Sequence, residues 1–265
     1  MHRPFCLISF FVLVSVETAF SAFEGENNVI LQPPSAVHSF VSSDYFLEKR
    51  FIFTSTGSRL YSMPECNKVE TGILNNFPLF TLGADISFFG SELYNETAFA
   101  LSFLKGTKHL FGIRMKIMRL AIKGYRGALY GSDDLIFISQ NKFFYFQSTY
   151  YNAVSCGSNS DEEKPISSFC AILRLYPGDW NSLNIKINFS ALTGTTFEMG
   201  NGIRLTKNLN IGGGFNLSSR TISGSFLFHL GFFDLTYAIS DHPELGLTSA
   251  VGLTFTRDKK KLAIE

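Results

Sequence analysis

Between residues 183 and 255 the chain alternates apolar and polar residues with a period of two, segment after segment. Leu183, Ile185, Ile187 and Phe189 interleave with Asn184, Lys186, Asn188 and Ser190. Ile203 and Leu205 interleave with Gly202, Arg204 and Thr206. A polar turn at Lys207-Asn208 leads to Leu209, Ile211, Gly213, Phe215 and Leu217, set against Asn210, Gly212, Gly214 and Asn216. Three more segments, at 221–230, 233–240 and 247–255, repeat the pattern. Successive side chains of a strand point to opposite faces, so this stretch reads as an antiparallel β-meander.

The middle of the chain carries the same pattern. Leu82, Ala84, Ile86 and Phe88 alternate with Gly83, Asp85 and Ser87, and Thr97, Phe99, Leu101 and Phe103 with Ala98, Ala100 and Ser102. From 111 to 123 the apolar phase is odd through Ile117 and even from Met118. A one-residue shift flips the face, so the pattern predicts a β-bulge near Ile117-Met118, with a helix over 114–123 as the alternative. Further strands are expected at 135–139, 142–151 and 169–176, the first two joined by a turn at Asn141-Lys142.

Alternation alone fits both a membrane barrel and a soluble sheet with one wet face. The strands are about nine to eleven residues long, the length a tilted strand needs to cross a bilayer. Their polar faces are rich in Ser, Thr, Asn and Gly, as suits a lumen. Aromatics fall near strand ends, at Phe88-Phe89, Tyr150-Tyr151, Tyr237 and Phe255, where interfacial girdles belong. Closure would also remove the sheet edges that such sticky strands expose. The expectation is an all-β, antiparallel transmembrane β-barrel of about 12–14 strands. A soluble periplasmic β-protein is the alternative.

Met1-His2-Arg3-Pro4, an apolar run of about 12 residues and the small residues Ala19 and Ser21 follow the plan of a secretory signal peptide. That run is well short of the roughly 20 residues of a transmembrane helix. The predicted organisation is a signal peptide over 1–21 and an irregular segment over 22–50, able to plug or cap a barrel. A barrel over 51–255 and a charged tail over 256–265 follow. The expected location is a bacterial outer membrane. The balance of 23 basic and 22 acidic residues gives no reason to expect nucleic acid. Beyond the signal peptide three cysteines remain, an odd number; Cys156 and Cys170 flank a polar loop and are a candidate disulfide, or two free thiols packed as small hydrophobes.

Two patches carry a family likeness. The closing pair 233–238 and 242–255, with His242-Pro243-Glu244-Leu245-Gly246 between its strands, resembles the last hairpin of the PorV/PorQ-like outer-membrane proteins. Leu82-Gly83-Ala84-Asp85-Ile86-Ser87-Phe88-Phe89-Gly90, with Leu93-Tyr94-Asn95-Glu96, resembles an early hairpin of that group. These are relatives of the FadL-type transporters of long-chain fatty acids. The resemblance implies a barrel of around 14 strands that moves or holds hydrophobic small molecules, or an accessory barrel that works with secretion machinery; a non-transporting surface scaffold acting through its loops is the further alternative. The Asn-Pro-Ala-Gly element of the family is absent here.

Seven ionisable residues are candidate lumen-lining groups: Asp85, Arg114, Lys116, Lys186, Arg204, His229 and Asp234. Their cations either favour anions in a pore or pair with Asp85, Asp234 and Glu198. Asp133-Asp134 and Asp161-Glu162-Glu163 lack the ligand spacing of a calcium loop and read as solvated charges. Gly212-Gly213-Gly214 precedes no helix pattern and so is no phosphate loop. No nucleophile motif, metal spacing or cofactor motif stands out, so the expected partners are membrane lipid and a ligand or protein, without a catalytic role.

Overall fold

The computed structural model describes residues 49–258, apart from 64–66, 125–126, 158–165, 179, 192–193 and 245. The signal peptide expected over 1–21, the segment 22–48 and the tail 259–265 lie outside the described residues. The fold is an all-β closed barrel of 14 antiparallel strands. Its first half comprises β1 (Lys49–Arg59), β2 (Asn67–Asn76), β3 (Phe80–Gly90), β4 (Tyr94–Gly106), β5 (His109–Ile122), β6 (Ala128–Gln140) and β7 (Phe144–Gly157). The second half comprises β8 (Ser168–Gly178), β9 (Asn181–Ser190), β10 (Gly194–Thr206), β11 (Leu209–Asn216), β12 (Thr221–Leu230), β13 (Phe233–His242) and β14 (Gly246–Asp258). Each strand pairs with its sequence neighbours, and β14 closes on β1 with Phe255 opposite Phe53 and Thr254 opposite Thr54. The last strand thus runs past Phe255, through Thr256 and Arg257, because β1 offers Ile52 and Phe51 as partners there.

The two rims differ. Where β1 begins and β14 ends, the connections are two or three residues long; at the opposite rim they run from three to ten. Short turns on one side and longer loops on the other are the usual plan of outer-membrane barrels. At the terminal rim Asn141 closes its turn with its own side chain: Oδ1 accepts from Phe143 N at 2.8 Å and Phe144 N at 3.0 Å. Phe143, Trp180 and Phe232 are exposed in these turns, and Phe232 meets Phe255 edge-on with centroids 5.5 Å apart.

The wall is inside-out relative to a soluble protein. Phe99, Leu101 and Phe103 on β4, Met115 and Ile117 on β5, and Phe226 and Phe228 on β12 are exposed on the outer face. The buried face carries Thr54, Glu70, Asp85, Ser102, Arg114, Gln147, Asn210 and Thr236. Water would solvate that outer surface poorly and hydrocarbon well.

Two expectations need correction. No bulge interrupts β5: its register with β4 and with β6 runs unbroken through Ile117 and Met118. The phase change arises because Met118 and Leu120 point inward, into a buried apolar cluster with Ala98, Ala128 and Tyr130 beneath the loop rim. The irregularity lies on β7, where Tyr151, Asn152 and Ala153 stand opposite Asp134 alone and Asn152 takes a left-handed φ of 52°. Of the two readings of Cys156 and Cys170, the structure takes the unbridged one. Cys170 is buried on the inner face, whereas Cys156 is exposed opposite Gly131 on the outer face, past the last β7–β8 pair. A disulfide cannot pass through the wall that separates them.

Candidate functional site

The inner face divides into two unlike halves. On the β3–β7 side, small residues make room for large ones. Ala100 and Ser102 line the inner face of β4, and Arg114 of β5 reaches across them to Asp85 of β3. Its guanidinium grips Asp85 with two nitrogens, Nη2 to Oδ1 and Nε to Oδ2 at 3.3 Å, and Nη1 donates to Asp134 Oδ2 at 3.1 Å. Lys116 Nζ lies 2.8 Å from the other Asp134 oxygen and donates to Asn152 Oδ1 at 2.8 Å.

The bulge on β7 completes the network. Its backbone places Asn152 N within 2.9 Å of Asp134 Oδ1, and Ser132 Oγ donates to Asn152 Oδ1 at 2.6 Å. Asn152 Nδ2 in turn donates to Ile166 O at 2.9 Å, and Ser167 Oγ donates to Asn152 O at 2.9 Å. The base of the β7–β8 connection is thereby tied to the ionic cluster. Arg114, Lys116 and Asp134 are each no more than 2 % exposed, so these charges are satisfied by one another and not by water. Apolar layers flank the cluster along the wall. Ile52, Leu74, Leu104, Leu110, Ile136, Ile138 and Tyr145 form the layer nearer the terminal rim, and the Met118 cluster the other.

Among the described residues the opposite side stays open. A cavity of about 300 Å³ lies against β8–β14, lined among others by Arg174, Asn184, Lys186, Glu198, Asn216, Ser223 and His242. Two inner-face positions there are glycines, Gly200 on β10 opposite Gly214 on β11, and their backbone lines the cavity beside Ser223. Lys186 Nζ sits 3.8 Å from Glu198 Oε2, and Asn216 Nδ2 donates to Glu198 Oε1 at 3.1 Å. Arg174 Nε donates to Asn184 Oδ1. Nearer the terminal rim, His229 Nδ1 lies 2.8 Å from Asp234 Oδ1, with Asn210 Nδ2 3.3 Å from the other ring nitrogen.

The seven candidate residues therefore fall into separate groups. Asp85, Arg114 and Lys116 share the buried cluster; Lys186 joins the cavity; His229 and Asp234 pair below it. Arg204 is exposed opposite Asn210 toward the terminal rim. Asp134, read from sequence as a solvated charge, is instead the hub of the buried cluster. Its signal was available: Tyr130, Ser132, Asp134 and Ile136 share one parity, which puts the carboxylate in the middle of a strand. Among the described residues no cluster of three or more His, Cys, Asp and Glu could hold a metal ion.

No protein-family model matches the chain, and no curated protein does. Solved structures do. The outer-membrane protein Omp33 of Acinetobacter baumannii aligns over 80 % of this chain and 100 % of its own, with TM-score 0.50 and 8 % identity. The monoaromatic hydrocarbon channel TodX, as a deltaS2 mutant, aligns over 79 % of this chain and 89 % of its own, with TM-score 0.52 and 7 % identity. CymD, another monoaromatic hydrocarbon channel, gives 80 %, 90 %, 0.51 and 9 % in the same order. The fold is that of the outer-membrane β-barrels. Such a barrel leaves an aqueous lumen where side chains do not fill it, and among the described residues one side is filled and the other holds a cavity.

Proposed function

We propose that this chain is a bacterial outer-membrane barrel, exported through its N-terminal signal, that provides a narrow polar passage for small solutes. The observation that carries the reading is the eccentric lumen within an inverted wall. The outer face is apolar enough to need lipid, and among the described residues the β8–β14 side keeps a cavity lined by Arg174, Lys186, Glu198 and Asn216 as well as by apolar side chains. Reconstituted in planar bilayers, the purified protein should give discrete conductance steps, smaller than an unobstructed barrel of 14 strands would pass. Silent bilayers containing barrel that migrates as folded on unheated gels would remove the passage.

A second reading is carriage of hydrophobic small molecules, as the PorV and FadL resemblance implies. The inward apolar cluster of Met118, Leu120 and Tyr130 beneath the loop rim favours it. Uptake of long-chain lipid by proteoliposomes that conduct no ions would select that reading. An accessory role beside secretion machinery predicts neither activity, together with a stable stoichiometric partner.

A further inference from the structure

We infer that the outer wall over β10–β12 docks a second copy of this chain in the bilayer, with Asn201 of each copy bonding to the other across a two-fold axis. The inference rests on the lipid-facing wall and not on the passage. Three rows of outward residues cross these strands. Met199, Phe215 and Ile222 stand opposite one another, and so do Ile203, Ile211 and Phe226. Between these rows lie Asn201, Gly213 and Gly224. Met199, Phe215, Ile222 and Phe226 are exposed, so apolar ridges border a trough floored by bare backbone. A side-chain carbon on that floor would come no nearer than 3.7 Å at Gly213 and 3.9 Å at Gly224 to any atom outside its own stretch of chain. The trough is therefore open outward.

Asn201 decides what fills it. The residue is exposed on the outer face near the middle of β10, and its amide has no hydrogen-bond partner among the described residues. By contrast Ser55 and Thr71, outward on β1 and β2, satisfy each other at 2.9 Å. Hydrocarbon supplies no partner for an amide, so an acyl chain in the trough would leave Asn201 unanswered. A second amide answers it, because the group is donor and acceptor at once. Two copies related by an axis along the bilayer normal carry the same residue at the same depth, so each Asn201 meets its counterpart without any shift of either barrel. Bare backbone at Gly213 and Gly224 lets the walls approach closely, as small residues do where segments pack in lipid, and a ridge of one copy seats in the trough of the other.

Oxidative cross-linking in lipid vesicles at low protein density tests the contact, using the full chain with its own cysteines replaced by serine. Asn201→Cys should give a disulfide-linked dimer. Leu101→Cys, equally outward but on β4, six strands away round the barrel, should give only the collisional background. Energy transfer between labelled copies, followed as lipid dilutes them, measures the strength of pairing. Asn201→Leu should weaken pairing about threefold to thirtyfold, the range for interhelical polar contacts in membranes. The same variant should unfold at higher urea when dilute, since it removes a lipid-facing amide, a gain that misfolding cannot mimic. Equal cross-linking at 201 and 101, or unchanged pairing in Asn201→Leu, would overturn the interface and leave the trough to lipid. A barrel that conducts yet stays monomeric sinks the interface and spares the passage. A silent barrel that pairs through Asn201 does the reverse.

Discussion

Replacing Asp134 with alanine should destabilise the barrel by on the order of 3–5 kcal/mol, the cost of leaving buried charge without its counter-ion. Asp134 is fully buried and answers three groups at once: Arg114 Nη1, Lys116 Nζ and the backbone N–H of Asn152. Without it, Asp85 faces two buried cations and remains bonded to only one of them, Arg114. The left-handed Asn152 also loses the oxygen that fixes its amide, so the bulge loosens with the ion pair. Urea unfolding of the protein in lipid vesicles measures the loss. A companion variant, in which Asp85, Asp134, Arg114 and Lys116 all become leucine, removes the desolvated charges together and should recover most of it. A loss below about 1 kcal/mol for the single variant would mean that water reaches these groups.

Leu101→Arg is expected to cost about 2–4 kcal/mol, the range for arginine at the lipid midplane of a barrel. Leu101 lies at the centre of β4, 46 % exposed on the outer face, between the equally exposed Phe99 and Phe103. An arginine there must take its charge into hydrocarbon or snorkel toward a rim. Ser223→Arg places the same charge in the cavity on the open side and should stay within about 1 kcal/mol of the parent. The pair separates a lipid-facing surface from a water-facing one, because size and charge are the same in both variants.

The second half of the fold was legible because its two faces differ in kind. Asn184, Lys186 and Asn188 on β9, and Gly212, Gly214 and Asn216 on β11, face inward against a uniformly apolar outer row. The first half was harder to read because its inner face is itself partly apolar. On β6, Ile136 and Ile138 point inward while Leu135 and Phe137 point outward, so alternation disappears. The same mixing on β5 imitates a bulge at Met118, whereas the real one on β7 answers a long-range demand, the carboxylate of Asp134 on the neighbouring strand. β1 and β2 carried too little contrast to stand out, with Ser55 and Gly57 on one outer face and Lys68 and Glu70 inside. Individual lumen residues could be named from parity alone. Which of them meet, and which stay open to solute, depends on strand neighbours that sequence spacing does not reveal.

Tryptophan quenching by brominated lipid tests the inverted wall most directly. Trp180 is the only tryptophan, so Trp180→Phe gives a silent host in which Leu101→Trp or Ser223→Trp adds one reporter. In vesicles of lipid brominated near the chain ends, the tryptophan at 101 should be strongly quenched and blue-shifted, and the one at 223 left unquenched. Equal quenching at both sites, or quenching only at 223, would contradict a barrel whose apolar face meets lipid and whose polar face encloses the passage.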